Sequence, residues 1–196
     1  MVSRFISLSA ALVWLGGCLE IGGTEWRIDL ANHSASLRLT DLRSTEESGA
    51  GTDLKQLIEK YVEGDAITSR FPAANFGKAS VRVEGASLVL DVPVTWRTPR
   101  DVGLSDWDLA GPYRFCPDHG YMITKSNADF RDGDGCVVWA AGRTVLVVHT
   151  DDGLSGGPSL ATVFSAWEAQ GRPELEAFAE SWARQHEATL ISPPAP

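Results

Sequence analysis

The sequence predicts an α+β fold: an antiparallel sheet with a ββαββ start, then a disulfide-tied hairpin, one packed helix and a C-terminal helical pair. Three observations lead there. Short alternating apolar segments cluster in the first half of the chain, one segment with helical spacing interrupts them, and the last third carries two apolar stripes of helical period. The chain has 196 residues, 43% hydrophobic and 22% charged, which suits one domain able to bury a substantial core. Its net charge is −9, from 17 basic and 26 acidic residues. Such a surface repels phosphates and anionic lipid heads, which argues against nucleic acid as a partner.

In order along the chain, "WRIDL" (26–30) places Trp26, Ile28 and Leu30 on one face, and "SLRLTDL" (36–42) alternates Leu37 and Leu39 with Arg38 and Thr40. With "ANHSA" between them they predict a hairpin with one buried face. The polar, Gly-rich 43–52 stretch predicts a loop. Residues 53–63 place Leu54, Leu57, Ile58, Tyr61 and Val62 at helical spacing. Thr52 or Asp53 is positioned to cap the start and Gly64 to end it. "ASVRVEG" (79–85) and "SLVLDVPVTW" (87–96) form the next strand pair. Pro93 cannot donate to a ladder, so its strand is expected at an edge or bulged.

Residues 97–120 read as loop, and "YMITKS" (121–126) as a short strand. "CVVWAA" (136–141) and "TVLVVHT" (144–150) flank Gly142-Arg143, a signal for a type II′ hairpin. At the end, Leu160, Val163, Phe164 and Trp167 form one stripe. Gly171 breaks it, Pro173 suits the next helix start, and Leu175, Phe178, Ala179 and Trp182 form the second stripe. Glu180 and Arg184 are spaced to pair there.

The beginning has a different logic. Residues 1–17, "MVSRFISLSAALVWLGG", carry one charge, Arg4, then an uncharged apolar run, then two small residues before Cys18. That is the layout of a secretory signal, with an apolar run too short for a permanent span. "Leu15-Gly16-Gly17-Cys18" resembles the lipobox of bacterial lipoproteins. The resemblance covers the leader only. It implies cleavage before Cys18, diacylglycerol on its sulfur and acylation of the new amino group. Leu19, where an Asp would favour inner-membrane retention in enteric bacteria, is compatible with the outer membrane. The resulting division is a leader over 1–17, a lipidated tether over 18–24, one α+β domain over 25–190 and a disordered tail over 191–196. The expected localisation is exported and lipid-anchored to the envelope, outer membrane favoured over inner.

With Cys18 lipidated, Cys116 and Cys136 remain to pair as a disulfide in an oxidising compartment. Cys116-Pro-Asp-His119 also has a C-x-x-H spacing. A structural zinc site wants four ligands in two close pairs, and Cys136 has no neighbouring Cys or His, so the disulfide is the expectation.

Candidate chemistry is sparse. "GLSGGPSL" (153–160) resembles the segment around the nucleophile of trypsin-like proteases, which would make Ser155 the nucleophile and Gly153 an oxyanion donor. Leu154 stands where that family has Asp, and no Ala-Ala-His-Cys element precedes it. The chain is also too short for two six-stranded barrels. The segment therefore reads as a Gly-rich turn, with Ser159 or Ser155 capping a helix. "DFRDGDG" (129–135) matches a calcium loop only over Asp132–Gly135 and predicts a tight polar turn. His149, Asp151, Asp152 and Ser155 form a candidate polar cluster. Trp107, Tyr113 and Phe115 form a candidate aromatic binding patch. No cofactor or metal is expected. The leading functional expectation is a lipid-anchored, non-catalytic binding or accessory module, held to the membrane by covalent lipid and meeting an envelope protein or a glycan. The alternatives are a periplasm-facing hydrolase using the 149–155 loop and an envelope structural protein.

Overall fold

A computed structural model describes residues 19–65, 67, 73–106, 111–117, 121–151 and 156–190. The predicted leader, Cys18 and the 191–196 tail lie outside the described residues. The fold is α+β. Among the described residues, eleven strands form two antiparallel sheets, one of seven strands and one of four.

The opening hairpin is longer than its apolar alternation suggested. β1 runs Leu19–Asp29 and β2 Ser34–Ser44. The expected 18–24 tether is therefore strand from Leu19 onward, with Leu19 and Ile21 buried. The reason lies in the register. Trp26, Ile28, Leu37 and Leu39 share the inner face, and the alternation then flips. The ladder passes from Gly23↔Thr40 to Ile21↔Leu42, across Gly22 and Asp41 (φ 55°). The pairing stays one-to-one through this step, so both strands change face together and Ile21 and Leu42 return to the core.

The first helix, α1 (Ala50–Gln56), starts three residues earlier than its apolar spacing suggested. Gly49 is its N-cap, without a side-chain hydrogen bond. Asp53 is not a cap. It is buried and accepts from Ser44 Oγ at 2.5 Å. The helix then widens into a π-helical turn, Leu57–Val62, burying Leu57, Ile58 and Tyr61.

β3 (Asn75–Phe76), β4 (Ser80–Glu84) and β5 (Ser87–Thr95) follow. β5 is an interior strand rather than an edge, and Pro93 explains how. Pro93 O accepts from Gly77 N at 2.7 Å, so its missing N–H faces the same side, in the gap where β4 has ended and β3 has not begun. A Cβ on Gly77 would lie 2.9 Å from the Pro93 ring. Glycine at that position makes the joint possible.

A 3₁₀ turn (Pro99–Val102), capped by Thr98 and Asp101, leads to β6 (Ser105–Asp106) and β7 (Tyr113–Phe115). β8 (Met122–Ser126), β9 (Phe130–Arg131), β10 (Val137–Trp139) and β11 (Val145–Asp151) complete the sheets. Phe115 faces Val137 across β7–β10, and the next pair outward is Cys116–Cys136, a disulfide with Cα atoms 4.2 Å apart. It closes the ladder as a cross-strand bridge.

The expected 136–150 hairpin does not form. β10 pairs with β7 and β9, while β11 pairs with β1 and β8, so the chain crosses between sheets at Gly142-Arg143. Residue 127 holds this crossing. Asn127 Oδ1 accepts from Val147 N (2.8 Å) and from Trp139 Nε1 (2.7 Å), and its Nδ2 donates to Val145 O (3.0 Å). One side-chain amide thus imitates strand backbone against β11 and satisfies a buried indole of β10.

α2 (Leu160–Ala169) begins at Ser159, whose side chain accepts from Ala161 N at 3.2 Å, as the cap reading expects. Gly171 (φ 80°) breaks the run, and α3 (Leu175–Leu190) buries Phe178, Ala179 and Trp182. The helices cover β2, β4 and β5, and Phe115, Val137 and Trp139 of the small sheet join the same apolar cluster.

Candidate functional site

The inner face of the large sheet is core, so alternation sends every second residue to its outer face. Between Thr24 and Trp26 stands Glu25; between Leu37 and Leu39 stands Arg38; between Val148 and Thr150 stands His149. The register then aligns them. Lys125 lies opposite His149, His149 opposite Glu25, Glu25 opposite Arg38, Arg38 opposite Asp91 and Asp91 opposite Ser80. One row crosses six strands, and its central members Glu25, Arg38 and Asp91 alternate in sign.

The row is closed by side-chain contacts. His149 Nδ1 lies 3.4 Å from Glu25 Oε2, with both side chains about 30% exposed. Arg38 pairs with Glu84, and Arg82 with Asp91. Arg82 Nε also donates to Glu84 Oε1 at 2.8 Å. The Arg82 guanidinium holds the Glu84 carboxyl below its usual range, with Arg38 adding to it. Cross-strand pairs of opposite charge add modest stability to a sheet. The arrangement offers a partner fixed donors and acceptors, spaced about 5 Å apart across the strands. No group of three or more His, Cys, Asp or Glu able to hold a metal occurs among the described residues.

The residues singled out from sequence divide sharply. Tyr113 and Phe115 are 6% and 2% exposed, so they are core strand residues and supply no binding patch. Three-residue β7 buries both because they alternate around Arg114. Trp107, His119, Asp152, Gly153, Leu154 and Ser155 lie outside the described residues. His149 and Asp151 share the outer face, Asp151 opposite Gly23 and Met122 at the strand end. The 132–135 turn is tight and polar, as expected. Arg114 Nε donates to Asp132 Oδ2 at 2.6 Å and Arg114 Nη2 to Asp134 Oδ2 at 2.9 Å. Asp132 Oδ1 accepts from the Asp134 and Cys136 amides. A guanidinium thus already supplies the positive charge.

The Gly157-Pro158 part of the protease-like segment has a structural task. A Cβ on Gly157 would lie 1.6 Å from Ser44 O, and Ser44 N donates to Pro158 O at 3.0 Å. Gly157 and Pro158 lie against the end of β2 and lead into Ser159 at the start of α2.

Glu25, Arg38, Arg82 and Asp91 were not singled out from sequence. Their outward positions were legible in the alternation, but their alignment depends on β1 pairing with β11, which no local pattern announces. A hollow of about 580 Å³ beside the π-helical turn was also missed; Tyr61, Phe76 and Val92 line it, with Glu63, Asp65 and Lys78. No family model, curated protein or solved structure matches the chain.

Proposed function

We propose that the chain is a lipid-anchored protein of the bacterial envelope, outer membrane favoured, whose α+β domain is a non-catalytic binding module for an envelope protein. The observation that carries this reading is the division of the cysteines. Cys116 and Cys136 are joined, which suits an oxidising compartment, and Cys18 is left at the end of an apolar leader in the sequence Leu-Gly-Gly-Cys. No helix among the described residues is long and apolar enough to cross a membrane, and a lipid on Cys18 supplies attachment by another route. The charged outer face supports binding of a partner with complementary charges. Burial of Tyr113 and Phe115 removes two rings on which a glycan would stack, which favours a protein.

Cys18→Ser is expected to abolish both acyl labelling and recovery in the membrane fraction. Unchanged membrane retention refutes the anchor. Crosslinking of the anchored protein, repeated with Glu25→Lys and Arg38→Glu, reads the face: partner capture falls in either variant if the row is the contact.

A second reading, a hydrolase, is favoured by one observation, the carboxylate of Glu25 beside His149 Nδ1. That is the orienting half of a nucleophile–base–acid relay. It requires Ser155→Ala and His149→Ala each to abolish a measurable esterase or peptidase activity of the purified domain. Activity that survives both substitutions excludes it.

A further inference from the structure

The absence of a tether at Leu19 says how the domain meets its membrane. We infer that the lipid on Cys18 holds the domain end-on against the bilayer, with Glu46, Glu47 and Ala86 laid on the headgroup layer. This inference rests on the lipoprotein reading above. Consecutive Cα atoms are about 3.8 Å apart, so the acylated residue is one step from Leu19. Leu19 has no freedom to act as a leash. It is 9% exposed and lies opposite Ser44, which is fully buried.

The same end of the large sheet gathers several chain reversals. Ser44 leads directly into Thr45, Glu46 and Glu47, all exposed. The Gly85-Ala86 turn belongs there too, because Asp41 N donates to Ser87 Oγ and Ser159 Oγ donates to Ala86 O. The Glu46 and Glu47 carboxylates suit the ammonium groups of zwitterionic lipids. Arg43, the nearest cation on β2, is engaged by Asp41 Oδ2 at 2.9 Å and by Gly157 O at 3.2 Å. The opposite end of the sheet, at the β1–β2 turn, stands away by the length of β1, 11 residues or about 35 Å.

The test uses the lipidated full chain in phosphatidylcholine–phosphatidylethanolamine vesicles containing a headgroup spin-labelled lipid. A fluorophore is placed on Glu46→Cys or, separately, on Asn32→Cys in the exposed far turn. Quenching at position 46 is expected to exceed that at position 32 by at least about two-fold, given a separation comparable to β1. A flexible Gly/Ser insert of about ten residues between Cys18 and Leu19 is expected to remove the difference. Equal quenching at the two positions in the uninserted chain, with mass spectrometry showing lipid on Cys18, overturns the end-on attachment and leaves the lipoprotein reading standing. Absence of lipid on Cys18 overturns both.

Discussion

Asn127 ties the crossing between the two sheets to a buried ring. Three hydrogen bonds converge on one amide, and one of them satisfies the indole of Trp139, which is 0% exposed. Asn127→Ala strands that buried donor, and leaving a buried group unsatisfied costs about 1–3 kcal/mol. A loss of about 2 kcal/mol in urea-unfolding free energy is the expected result. Asp132 is a second residue whose role can be read by titration. The Arg114 guanidinium holds its carboxyl below the ordinary value of 3.8, and the Cys136 and Asp134 amides add to this. A carboxyl with a lowered folded pKa stabilises the protein fully above its unfolded pKa, and that contribution is lost as pH falls through the folded one. Asp129, held by Arg143, behaves alike. Unfolding free energy is therefore expected to fall below about pH 4, with a shallower acid limb in Asp132→Asn than in the unsubstituted chain.

Among the elements, those with a strong local period were legible before any coordinates. Leu37 and Leu39, the 87–96 alternation and the two C-terminal stripes all became the buried faces they predicted. Local chemistry failed where a distant partner decided the outcome. The Gly142-Arg143 signal was read as a hairpin, yet β10 and β11 belong to different sheets because β1 takes β11 and β7 takes β10. Pro93 argued for an edge, and the gap between β3 and β4 let an interior strand accept it. The tether reading failed because both strands change face together at Gly22 and Asp41, which simple alternation does not show. The candidate site follows the same division. His149 was legible as a polar strand residue, and its partner Glu25 was not, since only the β1–β11 register brings them together.

At the scale of the whole molecule, the small sheet depends on its covalent bridge. Its strands have only two or three residues, too short to be stable as an isolated sheet. Cys116–Cys136 closes a loop with a sequence separation of 20, which restricts the unfolded chain by about 3 kcal/mol in the entropy model. Replacing both cysteines by serine is expected to lower the unfolding free energy by about that amount. The small-sheet amides of residues 113–115 and 137–139 should lose hydrogen-exchange protection before those of β1 and β2. Uniform loss of protection across both sheets would contradict that order.

The position of β1 between β2 and β11 also sets a timetable for folding. β1 precedes its second partner by more than a hundred residues. In a chain delivered N-terminus first, β1 and β2 can pair at once, while the other edge of β1 stays bare until residues 145–151 arrive. A bare apolar strand edge invites pairing with other chains, and contacts so distant in sequence form slowly. The centre of the finished sheet is thus its most vulnerable edge during synthesis, and a chain truncated before Val145 should aggregate rather than settle into a smaller domain.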